Sequence, residues 1–154
     1  MKPRVLFVCL GNICRSPLAE GAFRREAALI GLDADTESAA TRDWHEGKAP
    51  DRRSIAVARS NGVDISGQRA RPLMAEDFHR FTHIIGMDAA NIAAINAAAP
   101  SGHPAQISRL LDHVSGREGR DIADPWAGRA SDFARCWDDV LTGVTHLAQA
   151  LLRS

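Results

Sequence analysis

Apolar positions alternate along the chain between short continuous runs and stripes of helical spacing. Val5, Leu6, Phe7 and Val8 form one such run, the pattern of a strand buried on both faces. The glycine-containing stretch from Leu10 to Arg15 interrupts it. Ser16-Pro17 then combines a favoured N-cap with a favoured first helical residue, which predicts a helix start. Leu18, Ala22, Phe23, Glu26, Leu29 and Ile30 give a mostly apolar stripe closed by Gly31. Asp35 to Ala40 is a second strand with weak alternation, Asp51 to Asn61 a helix closed by Gly62, and Glu76 to Phe81 a short helical turn. His83 to Met87 is a third strand, and Asp88 caps an alanine-rich helix that Pro100 ends. Ile107 to Leu111 is the fourth strand. Ser131 starts a last helix whose Phe133, Trp137, Val140, Val144, Leu147 and Leu151 share one face, with Cys136 among them as a core residue. Strands that alternate with helices imply an α/β fold: a single three-layer domain over residues 1–154, with a central parallel sheet of about four strands and helices on both faces. Such folds bind ligands at the carboxyl ends of the strands, so the loop after the first strand is the place to look for chemistry.

Composition narrows the function classes. Of the 154 residues, 45% are apolar and 25% charged, near the globular average. Nineteen Lys and Arg offset nineteen Asp and Glu, which removes the electrostatic case for a nucleic-acid or membrane-surface binder. The apolar run after Met1-Lys2-Pro3-Arg4 is too short for a signal peptide, and no run approaches the roughly 20 apolar residues of a membrane span. Three cysteines are too few, and odd in number, for a disulfide scaffold and suit a reducing, cytoplasmic compartment. Tyrosine is absent.

The stretch Cys9-Leu10-Gly11-Asn12-Ile13-Cys14-Arg15-Ser16 puts a thiol at a strand end, an arginine six positions on, and a helix N-terminus directly after. A loop this tight, curled around a ligand, turns several backbone N–H groups inward as an anion nest, and the helix adds its own free amides and the positive end of its dipole. Arg15 can hold a tetrahedral oxyanion through two parallel hydrogen bonds. The same positive field favours the Cys9 thiolate. Gly11 and Asn12 suit the left-handed backbone that the curl needs. A phosphate cradle floored by a thiolate is a site for attack on phosphorus. Cys9 and Cys14 lack zinc-ligand spacing, the six histidines form no metal-like cluster, and His113 and His146 read as local hydrogen-bonding residues. By spacing alone, Asp124-Pro125 is a turn-initiating pair.

The segment Val8 to Glu20 resembles the active-site segment of the low-molecular-weight protein tyrosine phosphatases, a family of flavodoxin-like (phosphotyrosine phosphatase I-like) fold. Ser38-Ala39-Ala40-Thr41, Trp44-His45-Glu46-Gly47, Arg69-Ala70-Arg71, Asp77-Phe78, His83 to Asp88 with Asn91, and Asp124-Pro125-Trp126 follow in the family's order. The resemblance implies Cys9 as the nucleophile that forms a phosphocysteine, with Arg15 and the amides of Leu10, Gly11, Asn12, Ile13 and Cys14 holding the phosphate. It implies Asp124 as general acid and then base, a role suited to a partly desolvated carboxyl beside Pro125 and Trp126; Asp121 is the rival acid. Trp44 and Trp126 would wall the slot for the substrate ring. Ser16 would donate to the thiolate, Ser38 would help Asn12 hold the loop, and Cys14 would be able to form a disulfide with Cys9. No metal or other cofactor is required, and the implied partner is a tyrosine-phosphorylated protein acted on by a monomer or weak dimer. Three positions depart from the family's pattern: Ala127 stands in place of an aromatic, Gln68 in place of a histidine of vertebrate relatives, and Ala40 in place of a glycine.

Three alternatives share the loop. An arginine-phosphate phosphatase of this family tends to have threonine where Ile13 stands. An arsenate reductase needs a relay of further cysteines, and Cys136 is the only one outside the loop. A non-catalytic oxyanion-binding module predicts loss of the thiol, the arginine or the acid.

Overall fold

The structure, a computed structural model, describes residues 2–154; Met1 lies outside the described residues. Its elements are β1 (Arg4–Cys9), α1 (Arg15–Leu29), β2 (Asp35–Ala40), α2 (Arg52–Ser60), α3 (Asp77–Arg80), β3 (His83–Gly86), α4 (Ala89–Ala98), β4 (Gln106–Arg109) and α5 (Ala130–Arg153), with a 3-10 turn at Leu110–His113. The four strands form one parallel sheet in the order β2-β1-β3-β4. The apolar run thus becomes a central strand with neighbours on both sides, in register Phe7 with Ser38 and with Ile85. Alternate residues of β1 point to opposite layers. Val5, Phe7 and Cys9 pack with α1, α2 and α5, while Leu6 and Val8 pack with Phe78 of α3 and Ile95 of α4. These are the expected three layers, with the reversal of strand order between β1 and β3 opening beside the end of β1.

Helix ends follow local chemistry with two corrections. Gly31 takes φ +74° after α1 and Gly62 takes φ +82° after α2, as their positions predict. Asp88 caps α4 by accepting the Asn91 N–H (2.7 Å). Ser16, however, is not a cap. Helix α1 begins at Arg15 with no side-chain cap bond, because the Ser16 hydroxyl is drawn to the Cys9 sulfur instead. Ser131 likewise lies inside α5. That helix starts at Ala130, and Asp132 reaches back to accept the Arg129 N–H (2.7 Å).

The fourth strand stops at Arg109, and Leu110 and Leu111 turn under the sheet to meet α5 in the core. The predicted stripe of α1 is buried at Leu18, Ala22 and Phe23 but runs out at Leu29, which is exposed. The weak alternation of β2 has a physical reason: its Ser38 is spent on polar contacts beneath the loop rather than on apolar packing.

Candidate active site

Cys9 ends β1 with 2% of its surface exposed, and Leu10 to Cys14 curl from it into α1. The loop's carbonyls are tied outward: Leu10 O accepts Arg42 N–H (3.0 Å), Ile13 O accepts Asp51 N–H (2.8 Å), and Cys14 O accepts the Ser54 hydroxyl (3.3 Å). No acceptor among the described residues takes the N–H groups of Leu10 to Cys14. That is the backbone arrangement of an anion nest.

Asn12 makes the curl possible. Its φ of +56° is the one positive value of a non-glycine among the described residues, a conformation an asparagine side chain can support by bonding locally. Here one bond is local and two are long-range. Nδ2 donates to Ser16 Oγ (2.8 Å) and to Ser38 Oγ (2.9 Å), while Oδ1 accepts the Arg71 N–H (3.1 Å). The Ser38 hydroxyl in turn donates to Glu20 Oε1 (2.7 Å), and Arg24 donates to the other carboxylate oxygen (3.0 Å). Ser16 Oγ accepts from Asn12 and lies 3.0 Å from Cys9 Sγ, to which its O–H donates when the sulfur is a thiolate, with the Ser16 N–H at 3.4 Å as a second donor. Asn12 therefore does not line the cleft with its side chain; that group is buried in the scaffold, and only its backbone faces the nest.

Arg15 is 2% exposed. Nη1 donates to Asp88 Oδ2 (2.6 Å) and to Ile122 O (2.9 Å), and Nη2 lies 3.5 Å from Asp124 Oδ2. Burial opposes the guanidinium charge, but Cys9, Asp88 and Asp124 outweigh it and raise its pKa. Nε is buried without a partner, so the Nε–Nη2 edge is a fork available to a tetrahedral anion. The cap of α4 thus doubles as the clamp of the arginine, a role that sequence spacing does not reveal because the pair is 73 residues apart.

A cleft of about 360 Å³ opens above Cys9 and Arg15, with Leu10, Ile13, Trp44, His45, Asp124 and Trp126 on its walls. Trp44 is 62% and Trp126 57% exposed, and both line the mouth of the cleft. Asp124 sits between them and Arg15, with Oδ1 accepting the Trp126 N–H (3.1 Å). The Asp124 side chain is 40% exposed and so only partly covered, with Pro125 buried beneath the turn and Trp126 exposed. The rival Asp121 is committed elsewhere, to the Ala89 N–H and Arg109 (both 3.0 Å).

Arg53 went unnoticed in the sequence. It donates to Trp126 O (2.9 Å) and Gly128 O (3.3 Å), grips Asp51, and lies 4.4 Å over the Phe133 ring. With Asp51 N–H on Ile13 O, this pair joins the Asp124 loop to the Cys9 loop. His45, beside Trp44, stands against Gly11, where an added Cβ would meet it. Gln68 donates to Pro17 O (3.1 Å) rather than reaching Asn12, whose Oδ1 is taken by Arg71.

Cys14 is buried, and burial first, then Asp51 and Cys9, push its pKa well above the ordinary thiol range. Cys136 lies in the core as expected, pushed up to about 12 by burial. His113 bonds Ser108 Oγ (2.8 Å) and His146 its own helix at Thr142 O (2.9 Å), both local roles. No helix among the described residues is long and apolar enough to cross a membrane.

Comparison with known proteins agrees with this geometry. The family model for low molecular weight phosphotyrosine protein phosphatase matches residues 4–154. The low molecular weight protein-tyrosine-phosphatase YfkJ of Bacillus subtilis is 41% identical over 96% of this chain and 94% of its own. The Schizosaccharomyces pombe low molecular weight phosphotyrosine protein phosphatase is 40% identical over 87% of each chain. A crystal structure of a protein tyrosine phosphatase from Entamoeba histolytica, with Hepes in its active site, superposes with a TM-score of 0.92 at 30% identity, covering 99% of this chain and 98% of that one. Fold and relatives define a protein tyrosine phosphatase, a hydrolase of phosphomonoesters on a flavodoxin-like sheet. The chain belongs to the low molecular weight phosphotyrosine protein phosphatase family.

Proposed function

We propose that Cys9, Arg15 and Asp124 hydrolyse phosphotyrosine on a protein substrate through a phosphocysteine. The observation that carries this reading is the convergence on one cleft of a thiol within hydrogen-bond distance of the Ser16 hydroxyl and N–H, a guanidinium whose buried Nε has no partner, and a carboxylate 3.5 Å from its Nη2. Cys9 Sγ attacks phosphorus in line; the P–O bond to the ring breaks as the Asp124 carboxyl gives the phenolic oxygen its proton. The Nε–Nη2 edge of Arg15 and the amides of Leu10, Gly11, Asn12, Ile13 and Cys14 hold the three equatorial oxygens. In the second step the Asp124 carboxylate takes a proton from water, the water oxygen attacks phosphorus, and the S–P bond breaks with the Ser16 hydroxyl receiving the thiolate. The sulfonate of Hepes in the active site of the Entamoeba relative has the tetrahedral oxyanion geometry that this cradle fits.

Trp44 and Trp126, both exposed at the mouth, suit a flat aryl ester and set the thiolate below the reach of a short phosphoserine. Free, buried thiols fit a reducing cytoplasm, and one catalytic domain over residues 1–154 acting as a monomer or weak dimer completes the reading. Cys14 on the same tight loop is placed to pair with an oxidised Cys9, although its buried thiol makes it a slow partner.

The test compares an aryl phosphate with phosphoserine, phosphoarginine and arsenate. Turnover of the aryl phosphate, lost in Cys9→Ser and strongly slowed in Asp124→Asn, is expected. Full activity in Cys9→Ser would overturn the mechanism, and equal rates on phosphoserine would overturn the aromatic slot.

A further inference from the structure

Residues 69–73 form a strap outside the sheet, behind the Cys9 loop. Ala70 donates to Lys48 O (2.9 Å) and accepts from Gly47 N–H (2.8 Å), so the strap holds the far end of the segment that carries Trp44. Arg71 O accepts Ala40 N–H and Leu73 N–H donates to Ala40 O, both 2.8 Å, which pins it to the end of β2. The Arg71 N–H meets Asn12 Oδ1 at 3.1 Å. One stretch of backbone therefore touches three pieces that build the cleft.

What fixes the strap is Asp77, fully buried at the start of α3. Its carboxylate accepts Arg71 Nη1 (3.0 Å) and Nη2 (3.1 Å) side by side, and Met74 N–H (2.8 Å). A buried carboxylate is tolerated only when its lone pairs are filled in this way. Arg71 Nη1 also donates to Pro72 O within the strap (3.2 Å), and the second carboxylate partner of Arg71, Glu37, is half-exposed and more distant at 3.3 Å.

We propose that Asp77 is a positioning residue for catalysis: its grip on the Arg71 fork keeps the Arg71 N–H on Asn12 and, through Asn12, keeps the Ser16 hydroxyl directed at the Cys9 sulfur. Asn12 has a single amide oxygen. Without the Arg71 N–H on it, the amide is free to turn, Ser16 Oγ loses the donor that orients it, and the sulfur loses the donated proton. The effect reaches the thiol over three hydrogen-bonded residues, Arg71, Asn12 and Ser16, and Asp77 touches neither substrate nor reacting atoms. It rests on the reading of Cys9 as nucleophile.

The experiment measures kcat and KM for an aryl phosphate, and the rate of Cys9 alkylation by iodoacetate, in Asp77→Asn, Arg71→Met and the double variant. Asparagine sets an N–H2 against the guanidinium donors, while methionine keeps the stem and drops the fork. Expected are a kcat lower by roughly tenfold or more with KM within about twofold. The alkylation rate at about pH 6, relative to that at about pH 9, falls severalfold. The double variant is no slower than the worse single one, because both break the same link. Glu37→Gln retains near-normal kcat.

A merely structural role moves the folded fraction but not the alkylation ratio of molecules that remain folded. Folded variants with unchanged kcat and ratio, or a double variant whose losses multiply, overturn the proposal. If Asp77→Asn does not fold, Arg71→Met carries the same readouts. Activity surviving in Cys9→Ser refutes the nucleophile reading itself, whereas an inactive Cys9→Ser with a normal Asp77→Asn refutes only the positioning role.

Discussion

Ser38 shows how much of this site is carried by groups that never meet a substrate. It accepts from Asn12 and donates to Glu20, both in surroundings closed to water. Ser38→Ala leaves a buried N–H and a buried carboxylate oxygen unpaired, so a loss of about 1–3 kcal/mol is expected in the urea midpoint, together with a lower kcat. The residue scale is also where sequence reading did best and worst. Cys9, Arg15 and Asp124 were legible because a thiol, an arginine and a helix start crowd eight positions, and because the family's motifs recur in order. Ser16 was legible as a residue and misread as a cap: a hydroxyl at a helix start has two possible acceptors, and only the fold brings the sulfur within 3.0 Å. Arg53 and Asp77 were invisible as functional residues, since Arg53 works on carbonyls up to 75 residues away and Asp77 through an arginine fork.

At the scale of elements, the start of α2 links the two loops of the site. Its Asp51 N–H holds Ile13 O, its Arg53 holds Trp126 O and Gly128 O, and the two side chains grip each other. Arg53→Met should loosen the Asp124 loop while leaving the thiol in place. The loss of rate is then expected to be larger for phosphotyrosine, whose poor leaving group needs the proton, than for p-nitrophenyl phosphate, whose leaving group does not. Comparing the two substrates in one variant checks this.

The same pair responds to acid. Hydrogen bonds from Arg53 hold the Asp51 carboxyl below its ordinary 3.8, so its contribution to stability is present above that value and lost as pH falls through and below it. Helix α5 responds to base with the opposite sign. Cys136 is raised from 9.0 to about 12 by burial, so the folded state keeps its proton where the unfolded chain loses it. Stability should therefore decline as pH rises above about 9, and Cys136→Ala should flatten that decline in alkaline melts. The element pattern itself was read nearly whole from periodicity. The exceptions were the end of β4 and the ends of α1 and α5, where local hydrogen bonding rather than apolar spacing sets the boundary.

Across the whole molecule, formal neutrality coexists with a strong local preference for anions. Nineteen charges of each sign cancel, yet loop amides, a helix start and one buried guanidinium face the same cleft. Inorganic phosphate should therefore raise the melting temperature although the net charge predicts no attraction. Phosphate at a hundredfold excess over its Kd contributes about 2.7 kcal/mol. Arg15→Lys, which lacks the fork, should lose most of that shift in a thermal scan with and without phosphate.

The position of Cys9 at the end of the central strand also separates the lifetimes of the two halves of the chemistry. Amides of β1, flanked by β2 and β3 and covered by helices on both faces, exchange their hydrogens only when the entire domain opens. The Asp124 turn has an exposed carboxylate and is fastened chiefly by Arg53 and by the Ile122 N–H on Met87 O, so it belongs to the least protected part of the fold. In mild denaturant the protein should lose the Asp124 turn, the proposed source of the proton, before Cys9, the proposed nucleophile. Turnover of phosphotyrosine should then fade while Cys9 still reacts with alkylating agents, and the sheet should give way only at the global midpoint.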